Sequence, residues 1–236
     1  MNTPPRKPLP SWLPLLVGAL LVVQFAGLGA WQISRGLEKR ADQQLFEDDT
    51  GFAAWQHGTD VRPYQRLQAA GRYDREHQIL LENIIVNSRY GYYVITPLIG
   101  LSGEPVLLVN RGWIEKTGEP PDAARLDLPT ERLTVRGRAG SLPRPGMKMG
   151  DAFNAQESWP QSAVYPSNDE VAAALGAEVQ PFVLLMDPQE EHGFLRHWVP
   201  TEFGPGKHFG YALQWFAMGA VLSGLLIWNY RKKRFK

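Results

Sequence analysis

The chain contains no cysteine, and that absence closes off several chemistries at once. Without thiols there is no disulfide framework, no thiolate nucleophile and no thiolate-held zinc or copper. A cysteine-free domain is compatible with a periplasmic location without proving one. Equally absent are a Gly-x-Ser-x-Gly elbow, a P-loop and a Gly-x-Gly-x-x-Gly fingerprint, so acyl transfer on a serine elbow and phosphate-cradling loops lose their usual supports. No enzyme activity and no nucleic-acid partner are expected. Charge is missing too, but only locally. Trp12–Ile33 and Phe209–Tyr230 are runs of 22 residues with no charged side chain.

Those two runs outweigh the soluble-looking averages of 44% hydrophobic residues and mean hydropathy −0.28. At about 1.5 Å per residue each reaches roughly 33 Å as a helix, enough to cross a hydrocarbon core of about 30 Å. Only a helix or a closed barrel satisfies its backbone there. Pro14 falls in the first turn, where a missing N–H costs least. Trp12 and Trp31 sit near the ends of the first run, and Tyr211 and Trp228 near the ends of the second, as interfacial aromatics do.

Charge sets the expected orientation. Arg6 and Lys7 precede the first run, and Arg231–Lys236 ends the chain with five basic residues in six. These tails hold 7 of the 25 basic residues and none of the 24 acidic ones, which leaves a net −6 between them. By the positive-inside rule both termini are cytoplasmic and the acidic middle is translocated. Arg35, Lys39 and Arg40 oppose that assignment, but the tail outweighs them. A cleaved signal peptide is the competing reading of the N-terminus. The apolar core is long for one, and Trp31-Gln-Ile stands where small cleavage-site residues belong. The expected organisation is therefore a cytoplasmic segment 1–11, a transmembrane helix 12–33, a periplasmic β-rich domain 34–208, a transmembrane helix 209–230 and a basic cytoplasmic tail 231–236, in a bacterial inner membrane.

Leu37, Ala41 and Leu45 extend the first helix outward to about Asp49. Strand patterns follow. Arg66–Tyr73 and Gln78–Glu82 suggest a hairpin about Asp74–His77. Tyr92–Thr96 and Val106–Val109 flank the turn residues Gly100–Pro105, while Arg132–Arg138 alternates and Phe182–Met186 reads as a buried strand. Asn168–Leu175 is the one helical stretch, with Ser167 or Asn168 to cap it and Gly176 at its end. Pro120-Pro121, Leu142–Gly146 and Trp159-Pro160 mark loops. The fold class expected is a membrane protein with two transmembrane helices flanking a mainly-β (α+β) extracytoplasmic domain, a small barrel or sandwich of six to eight strands.

Few residues attract a chemical reading. His192 and His197, at i, i+5, fall on opposite faces of a strand and well apart on a helix, so they read as surface histidines, as do His57 and His77. Arg111 reads as ending a strand at a turn loosened by Gly112, where it braces the sheet through carboxylates or meets a partner. Gln24 and Gln214, polar within the spans, face each other or another helix, and Gly27, Gly29, Gly219 and Gly224 supply small packing faces. His208 differs by its position at the outer interface. It either marks a helix boundary or offers an axial imidazole to haem iron, with Tyr211, Trp215 and Phe216 against the macrocycle. The residues alone favour the boundary role.

Several segments, in order, resemble the surfeit-locus-one family. They are Gly29-Ala-Trp-Gln-Ile-Ser-Arg35 with Lys39, Gly71-Arg-Tyr-Asp74, Leu80-Leu-Glu-Asn83, Gly91–Leu98, Val106–Ile114 and His208-Phe-Gly-Tyr-Ala-Leu-Gln-Trp-Phe-Ala-Met218. The resemblance spans nearly the whole chain. It implies a chaperone for haem-copper cytochrome c oxidase that binds haem a transiently and aids its insertion into the catalytic subunit. It further implies subunit I of the oxidase as partner, with haem a synthase as a second one, in a setting of membrane lipid. His208 matches the family's proposed haem ligand, which shifts the balance toward haem contact with Tyr211 and Trp215 beside it. Trp31 and Arg35 match the first-helix motif and Asn110–Trp113 a strand motif, with no chemistry assigned. Ser158–Val171 departs from the family pattern, which puts any partner-specific role of that stretch in doubt. The alternatives are a scaffold that binds oxidase subunits without a cofactor and, from other classes, a membrane-anchored hydrolase or a sensor. The 11 and 6 residues expected inside leave no room for a signalling module.

Overall fold

The computed structural model describes residues 10, 12–48, 50–101, 103–118, 121, 125–144, 150–153, 158–200 and 204–234. Arg6, Lys7, Ser102, Pro120, Pro145, Gly146 and the end of the basic tail lie outside them. Two units form, one from residues 1–44 with 201–236 and one from 45–200.

The first unit is a helix pair. Helix α1 runs Leu13–Glu47, continuing past the charge-free run as its apolar stripe suggests, and α3 runs Pro205–Arg234, starting four residues ahead of the second charge-free run. Both are long and apolar enough to cross a membrane, and only 11% of each most apolar window is buried within the protein. A core helix of a soluble domain would bury most of that surface. Lipid offers no hydrophobic drive for two helices to associate, so close shape fit must do it. Gly18, Gly29 and Gly36 form the buried stripe of α1. A Cβ there would sit 2.7 Å from Leu226, 2.7 Å from Phe216 and 2.6 Å from Phe209 respectively. Ascending numbers on one helix meet descending numbers on the other, so the pair is antiparallel. Of the four glycines expected to pack, Gly29 and Gly219 do so, whereas a Cβ on Gly27 or Gly224 would meet nothing within 4 Å. Gln24 and Gln214 are exposed and share no hydrogen bond.

The second unit contains strands β1 Ala53–Ala54, β2 Arg66–Tyr73, β3 Ile79–Val86, β4 Arg89–Ile99, β5 Val106–Glu115, β6 Leu133–Gly140, β7 Gln161–Ala163 and β8 Val179–Met186, with helix α2 Asn168–Leu175 before β8. β2 pairs with β6, β6 with β8, β8 with β5, β5 with β4, and β4 returns to β2 through Arg72↔Ile99 and Tyr73↔Leu98. The ring is closed, so the domain is a five-stranded barrel, with β6-β2-β4-β5 in Greek-key order. β5 and β8 are its parallel pair. β3 and the short β7 extend the sheet beyond β4.

The expected hairpin of Arg66–Tyr73 with Gln78–Glu82 does not form. β2 and β3 both pair with β4, which at 11 residues reaches each of them. The hairpin lies instead between β3 and β4, turned by Asn87 and Ser88 at φ 50° and 63°, the positive values that a two-residue type I′ turn needs. β5 is buried on both faces. Leu107 and Val109 join the barrel interior with Val135, Leu184 and Met186, and Leu108 joins Ile79, Ile95 and Val183 outside it. Val171 of α2 packs on that outer cluster. Ser167 caps α2 in a reciprocal box with Glu170, and Gly176 closes it at φ 63°.

Arg111 does not end a strand. It lies inside β5 at 2% exposure. Among the described residues no carboxylate pairs with it. Its Nη1 donates to Gln78 Oε1 at 2.9 Å and to the Leu126 carbonyl at 3.0 Å, and its Nε donates to the His192 carbonyl at 2.9 Å. The Phe194 ring covers it at 4.9 Å. Gly112, at φ 113°, serves close approach rather than a turn, since a Cβ there would lie 2.8 Å from the Leu195 carbonyl oxygen. The 193–196 segment thus lies on β5, with Trp113 N donating to Leu195 O at 2.7 Å. Burial lowers the Arg111 pKa to about 10 and pushes Tyr73 well above its usual value, with the nearby guanidinium opposing that rise.

Two substitutions separate these buried polar groups. Arg111→Met keeps bulk but removes one donor each from Gln78, the buried Leu126 carbonyl and the part-buried His192 carbonyl, so a loss of about 2–4 kcal/mol is expected in denaturant titration. Among the described residues the buried Tyr73 hydroxyl has no hydrogen-bond partner. Tyr73→Phe is therefore neutral or stabilising by up to about 1 kcal/mol at pH 7. The advantage grows above pH 10, because the tyrosine then ionises in the unfolded chain while folded Tyr73 stays protonated, which costs the wild type stability.

Candidate functional site

Pro205 starts α3 where its missing N–H is least missed, and places His208 in the first turn. Residues 208, 212, 215 and 219 recur at helical spacing on one face. Ala212 and Gly219 are buried there, and His208 and Trp215 are half-buried. His208 Nδ1 lies 2.8 Å from Gln32 Oε1 of α1. Its Nε2 makes no hydrogen bond among the described residues.

The structure sorts the three residues expected at a haem. His208 keeps one nitrogen uncommitted. Tyr211, about 60° around the helix from His208, is 53% exposed on the flank of the pair. Trp215 packs on Phe25 with ring centroids 5.7 Å apart, so it walls the helix seam and keeps only part of its surface for a ligand. Trp31, beside Gln32, is 54% exposed. One turn farther along α1, Arg35 pairs with Glu38 at 2.6 Å and Lys39 with Asp42 at 3.1 Å. Gln32 escaped the sequence reading. The available signal was its spacing, because 18, 25, 29, 32 and 36 recur on one face of α1 and Gln32 is the polar member.

The barrel unit holds cavities of its own. One of about 810 Å³ is lined by Arg72, Asp74, Arg75, His77, Asp127 and Trp159, among others. His77 Nδ1 lies 2.7 Å from Asp74 Oδ2, and its ring meets Trp159 edge-on at 5.0 Å, so His77 is less solvated than its polar neighbours suggest. Arg75 pairs with Asp127 and holds that carboxyl below its ordinary range. His57 Nδ1 lies 3.0 Å from Gln180 Nε2. Among the described residues no three metal-binding side chains gather, the pair His192 and His197 included.

Comparison with known proteins bears on the same helices. The model of the SURF1 family matches residues 19–220, from inside α1 into α3. An uncharacterized SURF1-like protein of Mycobacterium bovis is 26% identical over 226 residues, covering 90% of this chain and 80% of that protein. Two uncharacterized SURF1-like proteins of Mycobacterium tuberculosis match with the same values.

The helix register that brings His208 to Gln32 can be checked directly. A Cβ on Gly219 would lie 3.6 Å from the Phe25 Cβ, within the span a disulfide bridges. In this cysteine-free chain the double variant Phe25→Cys, Gly219→Cys is expected to close an intramolecular disulfide on mild oxidation, read by intact mass. A pair displaced by one turn, Phe25→Cys with Ser223→Cys, is expected to stay reduced.

Proposed function

The chain belongs to the SURF1 family, and on that premise we propose that it is an assembly factor for haem-copper cytochrome c oxidase, a carrier that holds haem a transiently for insertion into the catalytic subunit. One observation carries the haem part of this reading. His208 sits half-buried on a membrane helix with Nδ1 engaged and, among the described residues, Nε2 without a hydrogen bond, the arrangement in which a neutral imidazole can ligate a metal.

The surrounding residues suit such a cargo. Tyr211 and the outer face of Trp215 offer aromatic surface, and the helix flanks offer the apolar exposure a farnesylated macrocycle needs. When bound, haem would supply an iron that accepts a nitrogen donor, and His208 would hold it. Arg35 and Lys39, already held by Glu38 and Asp42, supply cations beyond the apolar span. Subunit I of the oxidase is the proposed client, and haem a synthase the proposed donor. The positive-inside bias supports cytoplasmic termini, segments 1–11 and 231–236, with residues 34–208 on the periplasmic side of a bacterial inner membrane.

A scaffold that binds oxidase subunits without haem is the second reading, and the Gln32 contact favours it to this extent: His208 already has a packing role between helices. The visible spectrum of the protein purified from haem-a-producing cells separates the two. His208→Ala, inserted at normal level, is expected to lower haem affinity by about tenfold or more, as loss of a ligating nitrogen would, and to reduce assembled oxidase. Unchanged haem content and oxidase activity would remove His208 from the mechanism.

A further inference from the structure

His208 and Gln32 meet across the helix seam at 2.8 Å, Nδ1 to Oε1. A carbonyl oxygen can only accept, so the proton of this contact belongs to Nδ1. A neutral imidazole has one N–H, so fixing it at Nδ1 leaves the lone pair on Nε2. We propose that Gln32 is a positioning residue for His208. Its amide oxygen selects the Nδ1–H tautomer and sets the ring orientation, so that Nε2 is presented as the ligand to an incoming haem iron. The iron-binding half of this inference rests on the haem-carrier reading above. The tautomer half stands on the hydrogen bond alone.

The position of Gln32 explains why the selection is firm. Gln32 shares a face of α1 with Gly29 and Gly36, where a Cβ would lie 2.7 Å from the Phe216 ring and 2.6 Å from the Phe209 ring of α3. The glycines lock the register of the two helices, and the register delivers the amide to the ring. Both groups are half-buried in this contact, so turning the ring or moving its proton would break their hydrogen bond and set like polar atoms face to face.

The choice of an amide also matters. Histidines that hold metals permanently often lean on a carboxylate, which raises the basicity of the ligating nitrogen. A neutral amide orients the ring without that added donor strength, and it spares the helix an ionised group in lipid. Orientation without strong donation suits a protein that must release its cargo.

The test uses the full-length protein in detergent with ¹⁵N-labelled histidine, His208 being assigned by loss of its signals in His208→Ala. The haem-free wild type is expected to show a protonated Nδ1 and a bare Nε2. Gln32→Leu is expected to lose that preference and to bind haemin about tenfold more weakly, the low end for loss of an orienting partner. Gln32→Glu, which restores an acceptor, is expected to recover the tautomer and the affinity and to lower the reduction potential of the bound haem. The Phe25–Gly219 crosslink, introduced into each variant, reports that the helices still pair. A wild type protonated at Nε2, or an unchanged tautomer in Gln32→Leu, overturns the proposal. A wild type that shows the expected tautomer yet does not bind haemin overturns the haem reading and its ligand role, leaving Gln32 as the group that fixes the ring.

Discussion

Two helices in a bilayer gain nothing from hiding apolar surface from each other, because lipid is as apolar as they are. Their pairing has to come from closeness, and here three glycines of α1 create it. Each of Gly18, Gly29 and Gly36 receives a large side chain of α3, namely Leu226, Phe216 and Phe209. Knob-to-glycine contacts at three depths fix both rotation and register, since a shift along the axis would drive a ring or a leucine into a helix backbone. The polar contact between the two helices depends on that register. The 2.8 Å contact between His208 and Gln32 joins residues 176 positions apart in sequence, and nothing local brings them together.

The barrel is governed by a different constraint, closure. A sheet with open edges invites pairing with other chains. This domain removes most of its edge by letting one long strand, β4, bind β5 along its length and β2 at its end. The cost of closing so small a ring is an interior with little room, and Arg111 occupies part of it. An unpaired guanidinium there would be prohibitive. Three acceptors and the face of Phe194 satisfy it. The same side chain ties the 192–196 segment to β5, so a buried charge serves here to position a loop.

Much of this was legible in the sequence. Arg66–Tyr73 and Asn168–Leu175 match β2 and α2 at both ends, because alternation and caps are local signals. The misreadings share one cause. Asn110-Arg-Gly has the composition of a turn, yet the structure carries β5 through it, and Gly112 is there because the Phe194–Leu195 backbone passes close by. Asn87-Ser88, the true turn, sits between residues that look like continuing strand. In each case composition reported conformational permission, and tertiary pairing decided its use. The site divided the same way. His208 stood out because it borders a charge-free run, whereas Gln32 hides within one, and its meaning appears only once the partner helix is in register.

That asymmetry has a physical consequence for how the helices work. A lone glutamine near the end of a membrane span costs little, since its amide can reach interfacial water. Half-buried on the face that meets α3, it takes a partner in protein instead. His208 is such a partner, and it is also a group with two inequivalent nitrogens. Satisfying one commits the proton and leaves the other nitrogen with a lone pair in an apolar setting. The stability requirement of the helix pair and the presentation of a ligating nitrogen are thus met by one hydrogen bond. Neither could be relaxed without loss of the other, so the seam that holds the membrane unit together is also where its chemistry is set.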